Sequence, residues 1–156
     1  MMKIQTLEKK TFAEFGEILS MDDVPSVDTA NEFDFHDTAQ GIKLASRCCT
    51  GVLSCRHRPR KVVKMERHHE SSEVIVALDG DIVMMMAPSD DELENNTRIR
   101  AFMIKQGQAI VMKPNTWHWI PFPVDKHDVH ALVLFKDETG ANDLHFRDLT
   151  VPIVLD

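Results

Sequence analysis

Tyrosine is absent from this 156-residue chain, and aromatic residues make up only 6% of it. Long apolar runs are also missing, because no stretch reaches the roughly 18 residues that a membrane-spanning helix needs. The first eight residues alternate between polar and apolar side chains and contain no signal-peptide core. Together these absences predict a cytoplasmic protein that has no membrane partner.

Cysteine is scarce. The three cysteines are Cys48, Cys49 and Cys55, and an odd number with an adjacent pair is a poor basis for a disulfide framework. Their spacing also fits no common zinc motif, so we expect reduced thiols. The chain has eight histidines, and this excess predicts that any metal chemistry uses nitrogen and oxygen ligands.

Basic residues are fewer than acidic ones, with 18 lysines and arginines against 25 aspartates and glutamates, a net charge of −7. Nucleic acids and anionic membrane surfaces select for clustered lysine and arginine, so the sequence predicts neither as a partner. The remaining composition, 43% hydrophobic and 28% charged, is typical of a globular protein. The length predicts a single domain over residues 1–156.

Short apolar runs separated by turn-forming residues predict an all-β protein, a sandwich or a barrel of antiparallel strands. The predicted strands are Phe33–Phe35, Ile42–Leu53, Lys61–His68, Val74–Leu78, Ile82–Ala87, Arg98–Ile104, Ala109–Met112, Trp117–Pro121, Val129–Phe135 and Val151–Leu155. The segment Ile82–Ala87 is apolar at every position, so we expect a central strand that is covered on both faces. The Pro152 residue predicts an edge position for the last strand.

Three local signals predict the remaining structure. The pair Thr11 and Glu14 has capping-box spacing and predicts one short helix that ends at Gly16. The dipeptide Asp79-Gly80 lies between two predicted strands and indicates a tight hairpin. The acidic, asparagine-rich segment Pro88–Thr97 predicts a longer hairpin loop.

The densest group of reactive side chains lies at the end of the predicted strand Lys61–His68 and in the turn after it. Residues two apart on a strand share a face, so Glu66 and His68 point the same way, whereas Arg67 points away from them. Glu73 opens the next strand after a turn and can return to the same side. Two carboxylates and an imidazole that converge from adjacent strands can hold a divalent cation or act as an acid/base set.

A second group begins at a glycine turn, Gly107, and ends at His118, which lies between Trp117 and Trp119. Lys113 precedes the Pro-Asn turn in this segment. Alternation along the strand directs the imidazole of His118 away from the two indole rings. The other histidines have no informative spacing, although His130 lies on an apolar strand.

These two segments resemble the two motifs of the cupin superfamily. Residues that match the first motif in spacing are Glu66, His68, Glu73 and Gly80. Residues that match the second are Gly107, Lys113, Asn115 and His118, with lysine replacing the usual proline and asparagine the usual glycine. In the first motif, glutamate at position 66 replaces the histidine that most cupins have.

A narrower resemblance is to the ureidoglycolate lyase family of cupins, and it extends to about residue 136. Segments similar to those of the family are Phe12–Ile18, Met65–His68, Ile99–Phe102 and Trp117–Pro121. Three positions depart from the family pattern. Glu73 replaces a glutamine, Trp119 replaces a second histidine, and Met112 replaces a tyrosine.

The resemblance implies a cupin double-stranded β-helix with a short N-terminal helix, which commonly forms a homodimer. It also implies the cleavage of ureidoglycolate, a small carboxylate, to glyoxylate and urea. The divalent metal, which is Ni, Mn, Fe or Zn, would be bound by Glu66, His68, Glu73 and His118. The catalytic residues would be Glu66, His68, His118 and Lys113, with Glu66 as base or ligand. Lys113 and Lys64 are the candidates for pairing with the substrate carboxylate.

Two alternatives remain open at this stage. One is another metal-dependent cupin, a lyase or isomerase that acts on a small sugar acid. The other is a module that binds a small anion without turnover. The complete set of candidate ligands favours an enzyme, whereas the missing tyrosine and second histidine indicate divergence from the lyase.

Overall fold

The structure is a computed structural model, and it describes residues 1–20, 24–125 and 127–156. Strand is the dominant secondary structure of the described residues. In chain order the elements are β1 (Ile4–Thr6), α1 (Lys9–Phe12), β2 (Gly16–Leu19), β3 (Asp28–Thr29), β4 (Asp34–Phe35), β5 (Cys48–Cys55), β6 (Lys61–Arg67), β7 (Glu73–Ala77), β8 (Ile82–Ala87), β9 (Arg100–Ile104), β10 (Ala109–Met112), β11 (Trp117–His118), β12 (Phe122–Pro123), β13 (Val129–Lys136), α2 (Thr139–Asn142) and β14 (His145–Val154).

Two sheets face each other and form the body of the protein, and their strand pairs are antiparallel except for the parallel pair of β1 and β9. One has the strand order β1-β9-β8-β11-β6-β14, with β12 also paired to β8, and the other has the order β2-β10-β7-β13-β5. From β5 onward the chain passes repeatedly from one sheet to the other, as a double-stranded β-helix requires. The all-β cupin prediction, with its short N-terminal helix, is confirmed.

Strand β8 is buried along its whole length, and it separates two hydrophobic clusters. Its residues Ile82, Met84 and Met86 face the cluster between the two sheets. The alternate residues of β8 face a second cluster, which covers the outer face of the larger sheet and includes Trp117 and Leu93. A strand with apolar neighbours on both faces has no polar side to present, which explains why its sequence lacks alternation.

The predicted helix is present, but the prediction of its limits was wrong. Helix α1 covers Lys9–Phe12, and Glu8 occupies the capping position, so Thr11 lies inside the helix. The Thr11 hydroxyl donates to the Glu8 carbonyl at 3.2 Å. Gly16 begins β2, where an added Cβ would overlap the backbone oxygen of Val111. Glycine is therefore required here because β10 passes too close to leave room for a side chain, and not because the helix ends at this residue.

The prediction of a hairpin at Asp79-Gly80 was also wrong. Strand β7 belongs to the smaller sheet and β8 to the larger, so this turn carries the chain between sheets. An added Cβ on Gly80 would lie 2.8 Å from a Val129 methyl carbon. The Asp79 carboxylate accepts hydrogen bonds from the backbone N–H of His130 at 2.7 Å and from its ring nitrogen at 2.7 Å. Contacts with β13 therefore hold this turn in a path that leads from the smaller sheet to the larger one.

The longer hairpin is as predicted, since β8 and β9 are antiparallel partners on either side of Pro88–Thr97. Its Leu93 is only 2% exposed and contributes to the outer cluster. The C-terminal strand β14 begins earlier than predicted and lies at the edge of the larger sheet, where Pro152 needs no partner for its nitrogen. Neither helix within the described ranges has the length and apolar character needed to cross a bilayer.

Candidate active site

A cavity of about 280 Å³ lies between the two sheets. Most of its wall is aliphatic and includes Val52, Leu53, Ile75, Met84 and Ile120. Its charged and imidazole groups are Glu66, His68, Glu73 and His118. The structure therefore brings all four metal ligands expected from the sequence to one cavity.

Strand pairing explains how these side chains meet. In the larger sheet β11 pairs with β6, and His118 lies directly opposite Glu66. His68 follows β6 on the same face as Glu66, as the two-residue spacing predicted. Glu73 is the first residue of β7 in the smaller sheet, where it pairs with Met112. The four groups thus come from both sheets.

Three of the four groups, Glu66, His68 and His118, are mutually close enough to share one ion, and Glu73 lies beside both imidazoles. The Nε2 atoms of His68 and His118 lie 3.3 Å and 3.4 Å from Oε2 of Glu73. The distance from His118 Nε2 to Glu66 Oε1 is 3.7 Å. Ligand atoms of Glu66, His68 and His118 all lie within 4.8 Å of one another. Mutual distances of this size suit coordination to a common cation.

Backbone carbonyls orient both imidazoles. The Nδ1 atom of His68 is 3.0 Å from the Asp143 carbonyl oxygen, and Nδ1 of His118 is 3.0 Å from the Thr116 carbonyl oxygen. Because a carbonyl can only accept, each Nδ1 carries a hydrogen, and in the neutral form of each ring the lone pair is then on Nε2. Both lone pairs face Glu73, which is the arrangement that metal-binding histidines use.

Among the neighbours of His68, the Glu73 carboxylate raises the pKa of its imidazole the most. Burial by itself lowers the pKa of His68, but the contact with Glu73, the Asp143 carbonyl and the charge of Glu66 together raise that pKa above its usual value. Among the described residues, Oε2 of Glu73 is one of two buried side-chain atoms without a hydrogen bond. A buried, unpartnered carboxylate oxygen beside two imidazole lone pairs fits a divalent cation.

The two lysines expected to bind the substrate carboxylate lie elsewhere. Lys113 is exposed, and its Nζ donates to the Ala13 carbonyl oxygen at 2.6 Å. The Nζ atom of Lys64 lies 5.4 Å from the ring centre of Trp119 and 4.6 Å from that of Phe146. Within the described part of the chain, no lysine or arginine lines the cavity. The structure therefore brings neither lysine to the candidate ligands.

Three other residues also point away from the cavity. Arg67 stacks over Trp117 at 4.3 Å on the opposite face of β6, as its parity predicted. Trp119 packs against the outer hydrophobic cluster. His130 is 43% exposed in its side chain and pairs with Asp79, so it does not point into the barrel.

Sequence reasoning missed Asp143 and the short helix α2. Asp143 is only 2% exposed, and it contacts the turn after His68. Two residues of α2, Thr139 and Gly140, line the cavity. The sequence gives no signal for this segment, because it lies about seventy residues from the turn that it contacts and matches no ligand motif.

Comparison with known proteins identifies the family. A family model described as ureidoglycolate lyase matches residues 1–155. Similar curated proteins include the ureidoglycolate lyase of Pseudomonas fluorescens SBW25, which is 27% identical over 99% of this chain and 96% of its own length. Ureidoglycolate lyase 2 of Rhizobium meliloti is 26% identical over 93% of this chain and 92% of its own length.

Among solved structures, oxalate decarboxylase of Bacillus subtilis is similar at 15% identity and a TM-score of 0.45. That match covers 69% of this chain and 24% of the other. The sequence match over 1–155, and not this structural likeness, identifies the family. The chain belongs to the ureidoglycolate lyase family.

Proposed function

We propose that this protein is a metal-dependent lyase that cleaves ureidoglycolate to glyoxylate and urea. The observation that carries the proposal is the convergence of two carboxylates and two oriented imidazoles in one cavity. The names of the curated relatives support the substrate. A small carboxylate also suits a cavity of about 280 Å³, which is too small for a polymer.

Glu66, His68, Glu73 and His118 would hold the metal ion. Two nitrogen and two oxygen donors suit Mn, Fe, Ni or Zn. The bound ion would supply positive charge that polarises the substrate hydroxyl and carboxylate. Since no basic side chain lines the described part of the cavity, the negative substrate has no protein cation to pair with there.

Glu66 is the candidate base, because its side chain is 16% exposed and Glu73 is more deeply buried at 10%. In the reaction, Glu66 takes the proton of the substrate hydroxyl, and the O–H electron pair becomes the new carbonyl bond. The C–N bond breaks, its electrons remain on the urea nitrogen, and that nitrogen takes the proton back from Glu66. The proton is thus moved from oxygen to nitrogen, and atoms and charge balance.

The aliphatic wall contributes by excluding water. Buried side chains such as Ile75, Met84 and Val133 line the cavity together with the four polar groups. A low local dielectric strengthens the interaction of the carboxylates and imidazoles with charge that develops in the substrate.

An assay of urea and glyoxylate release, with and without a chelator, tests this function. The purified protein should contain close to one divalent metal ion per chain, and chelation should abolish product release. Glu66→Gln should lose activity while Glu70→Gln keeps it, because Glu70 is a surface residue that pairs with Lys136. Release at the spontaneous rate would contradict the lyase, and full activity after complete metal removal would contradict the metal site.

We also propose the homodimer and the cytoplasmic location that the sequence analysis predicted. Light scattering of the purified protein tests the dimer, since a monomer mass would contradict it.

The alternative to the lyase is a module that binds a small anion without turnover. Tight binding of a small carboxylate to the metal-loaded protein without product release would support this alternative.

A further inference from the structure

Asp143 stands out because it is a buried carboxylate outside the four candidate ligands. It is 2% exposed and is the C-cap residue of helix α2, two positions before β14 begins at His145. It is not a lining residue of the cavity. A buried carboxylate needs hydrogen-bond donors or a partner of opposite charge, and its donors identify what it holds in place.

The donors are the backbone amides of the turn that follows His68. The N–H of His69 lies 3.0 Å from Oδ1 and 3.1 Å from Oδ2 of Asp143, and the N–H of Glu70 lies 2.9 Å from Oδ2. His145 Nε2 is a further neighbour, 3.3 Å from Oδ1. Both carboxylate oxygens are therefore used to hold the turn.

The backbone of Asp143 reaches the histidine itself. Its carbonyl oxygen accepts the Nδ1–H of His68 at 3.0 Å. Its own N–H donates to the Thr139 carbonyl at 2.9 Å, which attaches the residue to α2. One residue thus holds the imidazole of His68 and the two peptide groups that follow it.

We propose that Asp143 is the positioning residue of the site. Its carboxylate fixes the turn after His68, and its carbonyl keeps His68 in the Nδ1–H tautomer with the Nε2 lone pair facing Glu73. The functional importance of this arrangement rests on the proposed metal site. The tautomer itself is a property of the metal-free protein and is tested separately.

A carboxylate suits this place because both of its oxygens accept backbone N–H groups, Oδ1 from His69 and Oδ2 from His69 and Glu70. In Asp143→Asn one oxygen is replaced by an NH₂ group, which cannot accept and would face an N–H. The turn has other attachments, since the Ser71 hydroxyl accepts the Lys136 N–H at 3.0 Å. We therefore expect Asp143→Asn to fold, with a displaced turn and a less constrained His68 ring.

The first test is the tautomer of His68 by nitrogen-15 NMR of the metal-free protein, at a pH well above the pKa of His68. The native protein should show the Nδ1–H form, and Asp143→Asn should show a mixture with the Nε2–H form. A native His68 in the Nε2–H form would overturn the proposal, and so would an unchanged tautomer in the variant. This readout does not depend on lyase activity or on bound metal.

The second test is the affinity of the protein for Mn²⁺ or Zn²⁺, measured by competition with a chelator. Loss of an outer-shell partner typically weakens metal affinity by about tenfold to a hundredfold, and we expect this for Asp143→Asn. A fall in thermal stability with affinity within about twofold of native would reduce Asp143 to a structural role and overturn the proposal. Absence of metal binding in the native protein would contradict the proposed function, while the tautomer measurement would still test Asp143.

Asp79→Asn is the matched control. The Asp79 carboxylate also accepts a backbone N–H and an imidazole N–H, both from His130, but it is half-exposed and lies outside the cavity. We expect this control to leave the His68 tautomer and the metal affinity unchanged. If Asp143→Asn does not fold, Asp143→Ser retains one acceptor and is measured in its place. The native tautomer tests the proposal without any variant.

Discussion

Glu73 is a candidate metal ligand, and it is one of the positions at which the sequence departs from the family pattern that it resembles, with glutamate in place of glutamine. Its Oε2 atom is buried between the Nε2 atoms of His68 and His118 and has no hydrogen bond. A neutral amide at this position would add a donor but would remove a negative charge from the site. We therefore expect the charge of Glu73 to contribute more to metal affinity than the shape of the cavity does.

We predict that Glu73→Gln folds normally but binds Mn²⁺ or Zn²⁺ at least about tenfold more weakly, because a carboxylate attracts a divalent cation more strongly than an amide does. Isothermal titration of the metal-free protein measures the affinity. Glu70→Gln removes the same charge at the surface and should leave affinity unchanged, since Glu70 pairs with Lys136 outside the cluster. Equal affinities of native protein and Glu73→Gln would contradict the assignment of Glu73 as a ligand.

The cysteines are expected to differ in reactivity according to their burial. Burial raises the pKa of the Cys55 thiol to about 11, the charge of Arg58 opposes the shift, and that of Asp79 adds to it. A raised pKa means that the reactive thiolate is scarce at neutral pH and becomes abundant only near pH 11. Cys48 lies on the same strand but is exposed.

Iodoacetamide should therefore modify Cys48 first in the native protein at neutral pH, and Cys55 only after unfolding. Mass spectrometry of digested samples follows each site over time. Modification of native Cys55 as fast as Cys48 would contradict the burial of Cys55.

At the scale of elements, the turn between β10 and β11 shows why the second motif tolerates asparagine. Asn115 has a φ of 69°, in the left-handed region where the cupin motif usually has glycine. Asparagine enters this region more readily than other side chains do. Its N–H also donates to the His68 carbonyl at 2.6 Å, so this turn lies against the turn that follows His68.

We predict that Asn115→Ala lowers the free energy of unfolding by about 1–2 kcal/mol, because alanine is strained at a positive φ. Asn115→Gly should lie within about 0.5 kcal/mol of the native protein, because glycine removes the strain but also the side-chain contact with His69. Urea unfolding of the three proteins gives the comparison. A glycine variant as unstable as the alanine variant would show that the side-chain contact, and not the backbone conformation, determines stability.

At the scale of the whole molecule, the candidate ligands connect the two sheets. Glu66 and His118 belong to the larger sheet, whereas Glu73 belongs to the smaller one. A bound ion would therefore bridge the sheets across the cavity. Such binding stabilises the folded protein by mass action, because the unfolded chain does not hold these groups together.

Metal at about one hundred times its dissociation constant should add about 2.7 kcal/mol to the stability of the fold. For a chain of this length we expect a rise in Tm of about 5–10 °C, which a chelator reverses. Differential scanning calorimetry measures the shift. His68→Ala should lose it, whereas His130→Ala should keep it, because His130 pairs with Asp79 outside the cavity. A shift that persists in His68→Ala would place the ion elsewhere.

The sequence by itself determined those structural features that depend only on residues close together along the chain. Alternation put Glu66 and His68 on one face, the uninterrupted apolar run predicted the doubly covered strand β8, and motif spacing singled out Glu73 and His118. Side-chain direction on a strand repeats every two residues, so the shared face of Glu66 and His68 can be derived without knowing which strands pair. Glu73 and His118 were singled out by the resemblance to the cupin motifs.

Only the tertiary structure decided features that depend on distant segments. Asp79-Gly80 has the local signature of a hairpin, but packing against Val129 and His130 sends the chain to the other sheet. Lys113 lies beside the second motif, yet its ammonium group contacts Ala13, about one hundred residues earlier. Asp143 reaches the turn after His68 only because α2 folds back onto it. Hydrogen bonds between remote segments follow from strand pairing and packing, and no local pattern of residues encodes them.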